Sequence, residues 1–153
     1  MILIALAATA ALSAADLPAP KVWEPGVIST SLHDGAPTFS PDGQTVYFSR
    51  SVGDGKPAAA VHVSHRKGGR WTAPEVAPFS GRFSDMEPAM APDGSHLVFI
   101  SNRPAQPGGK LLDGFYDKQA WPGGGGALWR GADRSRCRSR GARPPPRPVA
   151  CRR

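Results

Sequence analysis

The chain has 153 residues, enough for one domain of ordinary size. Its net charge of +7 invites a nucleic-acid reading, but residues 1–130 hold 11 Lys/Arg against 11 Asp/Glu, and the excess lies wholly in 131–153, where eight Arg face the single Asp133. Both cysteines, Cys137 and Cys151, lie in that tail too, which excludes a disulfide framework or a thiolate metal site from residues 1–130.

The opening stretch, MILIALAATAALSAADLPAP, is an apolar run followed by Ser13, Ala14 and Ala15. It fits a secretory signal peptide over residues 1–15, cut before Asp16, although no Lys or Arg precedes the apolar run. A membrane span needs about 20 apolar residues, so no transmembrane segment is expected. The expected location is the periplasm or the exterior. Residues 16–30 are rich in proline and read as an extended lead-in.

From Ile28 the pattern is short and β-like. TVYFS (Thr45–Ser49) and HLVFIS (His96–Ser101) are dense in β-branched and aromatic residues and bounded by turn chemistry. APTFS (Ala36–Ser40) precedes the first and EPAMA (Glu87–Ala91) the second. AAAVHVS (Ala58–Ser64) is a further strand, with a turn at RKGG and then RWTAP (Arg70–Pro74), and GALWR (Gly126–Arg130) takes the third strand's place in the second unit. No stretch after the leader has helical periodicity, so the fold class is all-β.

Two phrases repeat at an offset of 51: FSPDGQTVYFSR from Phe39 and MAPDGSHLVFIS from Met90. Pro41-Asp42-Gly43 and Pro92-Asp93-Gly94 are structural turn triplets. Proline presets φ near −65°, Asp suits the next position, and Gly supplies positive φ. Each phrase is therefore a β-hairpin closed through a glycine bulge. At this offset Asp34 falls on Asp85, Pro37 on Pro88, Phe39 on Met90, Val46 on Leu97 and Phe48 on Phe99. Repeats of 40–50 residues with about four short strands are the signature of propeller blades.

PTFSPDGQTVYFSR and EPAMAPDGSHLVFISNRP resemble the PD40 (WD40-like) repeats of the TolB-like family of bacterial β-propellers. The resemblance covers roughly 31–130, as repeat 1 over about 31–80 and repeat 2 over about 81–130. It implies a secreted or periplasmic scaffold used for protein contacts. The chain departs from the family in having two blades, where closure needs roughly 4–8. The expectation is thus an incomplete β-propeller of about two four-stranded blades, with two sheet faces left open.

Repeat 2 carries an insertion over 104–126, rich in Gly and Pro, with Phe115, Tyr116 and Trp121; it reads as a long surface loop. The tail, 131–153, is almost wholly Arg, Pro, Ala, Gly and Ser, a composition that cannot bury a core and reads as disordered. Arg, Pro, Ala and Gly are the residues that GC-rich codons encode, so the composition is that of a frameshifted end in a GC-rich gene. The rival reading is a genuine Arg-rich arm that binds phosphates or acidic lipid, and nucleic acid is expected as a partner only in that case.

Catalytic chemistry finds little support. There is no Gly-x-Ser-x-Gly elbow. His62 and His65 stand three apart in a strand and so point to opposite faces, which suits packing better than a metal. Asp42 and Asp93 sit in turns where Asp serves the backbone. Asp85, Glu87 and Arg103 lie at strand ends, where partners of propellers bind, although an exposed pair between Arg103 and Asp85 or Glu87, worth about 0–1 kcal/mol, accounts for them as well. Tyr116 and Trp121 are candidates for a carbohydrate or peptide contact. No cofactor and no metal is expected. The expected function is a non-catalytic scaffold for a protein partner or small ligand; the alternative is the remnant of a propeller-containing hydrolase, a peptidase or glycosidase without its catalytic part.

Overall fold

The computed structural model describes residues 18–51 and 59–132, with the side chains of Tyr116 and Ala132 excepted. The expected signal peptide and nearly all of the Arg-rich tail lie outside the described residues. Ten strands and no helix are present among the described residues.

The first sheet contains β1 (His33–Phe39), β2 (Thr45–Ser51), β3 (Ala59–Lys67), β4 (Arg70–Trp71) and β5 (Glu75–Val76). It runs as an antiparallel meander, β1-β2-β3, with β4 and β5 both paired to β3. β4 and β5 lie end to end as one broken outer strand. Between them Thr72 N–H still donates to His65 O, and Ala77 N–H donates to Val61 O beyond. Pro74 has no N–H to add to the ladder, so the strand breaks there. The sheet thus has five strands where four were expected, the last two in line along β3.

The second sheet is β6 (Asp85–Met90), β7 (His96–Ser101) and β10 (Ala127–Ala132), ordered β10-β7-β6. It has three strands where four were expected, and the residues after Ala132 lie outside the described set. Gly131 and Ala132 belong to β10, so ordered strand extends two residues into the stretch assigned to the tail.

The two hairpins share one pairing scheme. Gly35↔Ser49, Thr38↔Tyr47 and Phe39↔Val46 in the first become Met86↔Ile100, Ala89↔Val98 and Met90↔Leu97 in the second, each shifted by 51. β1 and β6 break register at the same point, Gly35/Thr38 and Met86/Ala89, and the bulge puts Ala36 and Glu87 at φ of 49° and 53°.

Alternation along the strands sorts side chains between two cores. Tyr47, Val61, Val63, Ala77 and Leu97 form a cluster joined by Phe79 and Met90, which lies between the two sheets. Phe79 bridges it, with ring centroids 6.5 Å from Tyr47 and 4.9 Å from Phe99. Val46 and Phe48 face the other side of the first sheet and pack with Ile28, Val27 and Trp71. The central strand β2 is therefore buried on both faces from Thr45 to Phe48.

The lead-in makes the second core possible. It is not simply extended: the N–H groups of Val27, Ile28 and Ser29 all reach the Glu24 carbonyl, and Ile28 is buried by the resulting turn. Trp23 packs edge-on against Phe39 and Trp71 at 5.5 and 5.7 Å. One of the two sheet faces expected to be open is thus covered. On the second sheet, Val98 and Ile100 remain half-exposed and Leu128 is exposed.

The insertion is not a plain loop. It folds a two-stranded ribbon, β8 (Gly114–Tyr116) and β9 (Gln119–Trp121), around Asp117 and Lys118, both at positive φ. A two-residue turn with positive φ at both positions matches the right-handed strand twist.

Candidate functional site

The turn triplets act on their own backbones. Gly43, at φ 66°, donates to Ser40 O at 2.8 Å, and Asp42 Oδ1 accepts the Gln44 N–H at 3.0 Å. In the second unit Gly94, at φ 65°, donates to Ala91 O, and Asp93 Oδ1 accepts the Ser95 N–H at 2.9 Å. The backbone and side-chain hydrogen bonds from Ser95 hold the Asp93 carboxyl below its ordinary value.

Asp85 and Arg103 do meet, but not at the surface. Asp85 is fully buried, and the side chain of Arg103 is only 18% exposed, so the weak exposed pair foreseen from the sequence is instead an interior one. Arg103 Nη2 donates to Asp85 Oδ1 at 2.7 Å and to Phe79 O at 3.2 Å, while its Nε donates to Ser101 Oγ at 2.8 Å. Phe83, Phe99 and Trp129 place their ring centroids 5.3, 5.0 and 5.5 Å from the guanidinium carbon. A cation enclosed by π faces and hydrogen-bonded to a carboxylate keeps partners for its charge after losing water.

The other oxygen of Asp85 ties this centre to the first sheet. Ser80 Oγ donates to Asp85 Oδ2 at 2.7 Å and accepts the N–H of Val61 in β3 at 3.0 Å. Two further bonds cross between sheets: Glu87 N–H to Ser49 Oγ and Met90 N–H to Thr38 Oγ1, at 2.7 and 2.9 Å. Asp85 and Arg103 thus fasten one sheet to the other, and Glu87 contributes its backbone while its side chain stays exposed.

At the corresponding place in the first unit, Asp34 meets Arg50 at 2.5 Å directly across the β1–β2 ladder. Arg50 also donates to Ile28 O at 3.0 Å, which holds the lead-in down. Burial pushes the Asp34 carboxyl up, but the hydrogen bonds from Arg50 and Thr30 outweigh it, and the net direction is down. His62 stacks on Phe48 at 5.8 Å, and burial, with Arg50 nearby, lowers its pKa. His65 Nδ1 lies 3.2 Å from Thr45 Oγ1. No group of three or more His, Cys, Asp or Glu placed to hold a metal occurs among the described residues.

The insertion ribbon builds an open cleft of about 420 Å³, lined by Asp113, Phe115, Trp121 and the backbones of Gly114 and Gly124–Gly126. Glycine is required here for space. A Cβ on Gly124 would overlap the Trp121 indole, one on Gly125 would overlap Asp113 O, and one on Gly114 would sit 2.7 Å from Gly124 O. Trp121 therefore lies against bare backbone on one side and is still 61% exposed, while Phe115 is 74% exposed. Asp113 Oδ2 accepts from Lys110 Nζ at 2.6 Å and its Oδ1 from Gly123 N–H at 2.9 Å, which holds the carboxyl below its ordinary value.

Of the five candidate binding residues, Asp85 and Arg103 form the interior fastening, Glu87 lies beside it at the bulge, and Trp121 lines the cleft. Tyr116 occupies β8 opposite Gln119, and its side chain lies outside the described residues. Asp113 was missed, because nothing in the sequence shows that the hairpin returns Trp121 opposite Gly114, next to it. No protein-family model matches the chain, and no curated protein matches it in sequence.

Proposed function

We propose that residues 31–132 are two blades of a TolB/PD40-like β-propeller, serving as a non-catalytic, ligand- or protein-binding scaffold in the periplasm or outside the cell. The observation that carries this reading is the common register of the two hairpins, shifted by 51 throughout, down to the bulge and the turn glycine. The packing supports it as well. Leu97 and Phe99 of the second unit lie on the side facing the first sheet, and their counterparts Val46 and Phe48 face the lead-in, so each unit presents the same side to what precedes it. The polar residues at the strand ends act as fastenings between and within units, which suits a scaffold.

The test is to insert a second copy of residues 82–132 after Ala132. Stacked repeats gain stability from each added neighbour, and the urea m-value grows with the surface buried, so both the unfolding midpoint and m should rise. An added copy whose amides exchange like an unfolded chain, with the midpoint unmoved, would overturn the blade reading. Export is tested separately by mass spectrometry of the mature N-terminus, expected at Asp16.

A further inference from the structure

We propose that the glycine-walled cleft of the insertion ribbon binds a neutral saccharide, its C–H face stacked on Trp121 and its hydroxyls donating to Asp113. The inference deepens the scaffold reading and rests on it for the folded body that carries the ribbon. Trp121 offers one broad aromatic face to solvent while glycine backbone supports the other, so the ring is a braced platform. Asp113 supplies acceptors in the lining of the same cleft. Each of its oxygens takes one hydrogen bond, from Lys110 or Gly123, and each has a second lone pair.

Charge and geometry select among ligand classes. The Asp113 carboxylate is already matched by the Lys110 ammonium at 2.6 Å, so a cation would have to displace Lys110 and an anion would meet the carboxylate. A neutral ligand with hydroxyl donors meets neither obstacle. A proline-rich peptide calls for parallel aromatic rails. Phe115 pairs with Ala120 and Trp121 with Gly114, so the two rings stand on different rungs of the ribbon, and neither pairs with any described ring. One braced ring next to an acceptor is the arrangement that a sugar's apolar face and equatorial hydroxyls match.

The experiment follows the indole Nε1–H signals of Trp121 and Trp129 in the full chain by ¹H–¹⁵N NMR. The probes are cellohexaose, maltohexaose and N-acetylchitohexaose, with a proline decamer as the competing class. At least one saccharide should shift the Trp121 signal saturably and leave Trp129 in place. Trp121→Ala should weaken that binding by about tenfold or more, and Trp121→Phe should recover part of it. The proposal is overturned if no saccharide of the set moves Trp121, if only the proline peptide does, or if Trp121→Ala binds as well as the parent. Trp129 separates the two readings: a dispersed Trp129 signal with an unresponsive Trp121 sinks the cleft alone, whereas a random-coil Trp129 in the parent sinks the folded body with it.

Discussion

The two aspartates at the starts of β1 and β6 occupy the same place in two copies of one pattern, yet they differ in what surrounds them. Asp34 pairs with Arg50 straight across the ladder, with 10% and 12% of the two side chains exposed. Asp85 is completely buried and draws its arginine from beyond the end of the strand, under three aromatic rings. Asp34 holds the lead-in through Arg50, whereas Asp85 holds a whole neighbouring sheet through Ser80. The same residue at the same register thus acquires its importance from what packs on it.

The largest test of that contrast is Arg103→Ala. It leaves the Asp85 carboxylate buried without its charge partner, and should cost about 3–5 kcal/mol in urea-induced unfolding. Arg50→Ala removes a hydrogen-bonded pair that water can still reach, with an expected loss of roughly 1.5–3 kcal/mol. Equal losses at the two sites would break the comparison, because burial would then not be the deciding quantity.

A smaller effect sharpens the part the units share. Gly43→Ala and Gly94→Ala both force a Cβ into left-handed backbone, at about 1–2 kcal/mol each. Open space surrounds Gly43, so its loss measures conformation alone, and any excess at the buried Gly94 measures packing.

The smallest effects belong to the first unit and are read from pH. The folded pKa of Asp34 lies below its ordinary 3.8, so its contribution is present above that value and is lost as pH falls through the lower folded one. Asp34→Asn should flatten this acid arm of the melting curve. His62 is also lowered from 6.5, so the unfolded chain takes up its proton first. Stability is full above 6.5 and declines as pH falls toward the folded value, an arm that His62→Gln should remove.

Much of the frame could be read from the residues. Thr45–Ser49 and His96–Ser101 announce strands by β-branched and aromatic density, and both Pro-Asp-Gly triplets announce their turns because φ near −65° and then positive φ leave few alternatives. The burial of Asp85 was not legible, since Phe83, Phe99 and Trp129 converge on Arg103 from separate segments. The ribbon was illegible for a local reason: its strands are three residues long, and its turn uses Asp117-Lys118 in place of Asn-Gly. The cleft was illegible with it, because it exists only once the ribbon folds back over Gly124 and Gly125.

The short lead-in has a consequence for the order of events during synthesis. Ile28 and Phe48 are close in sequence, so the first hairpin can close one of its cores from neighbouring chain, with little loop-closure entropy to overcome. Leu97 instead packs against Tyr47, Val61 and Val63 of the first sheet, farther away along the chain. Growing from its N-terminus, the chain can leave the ribosome with its first sheet already sealed on one side. That half-finished sheet then gives the second hairpin a surface on which to condense.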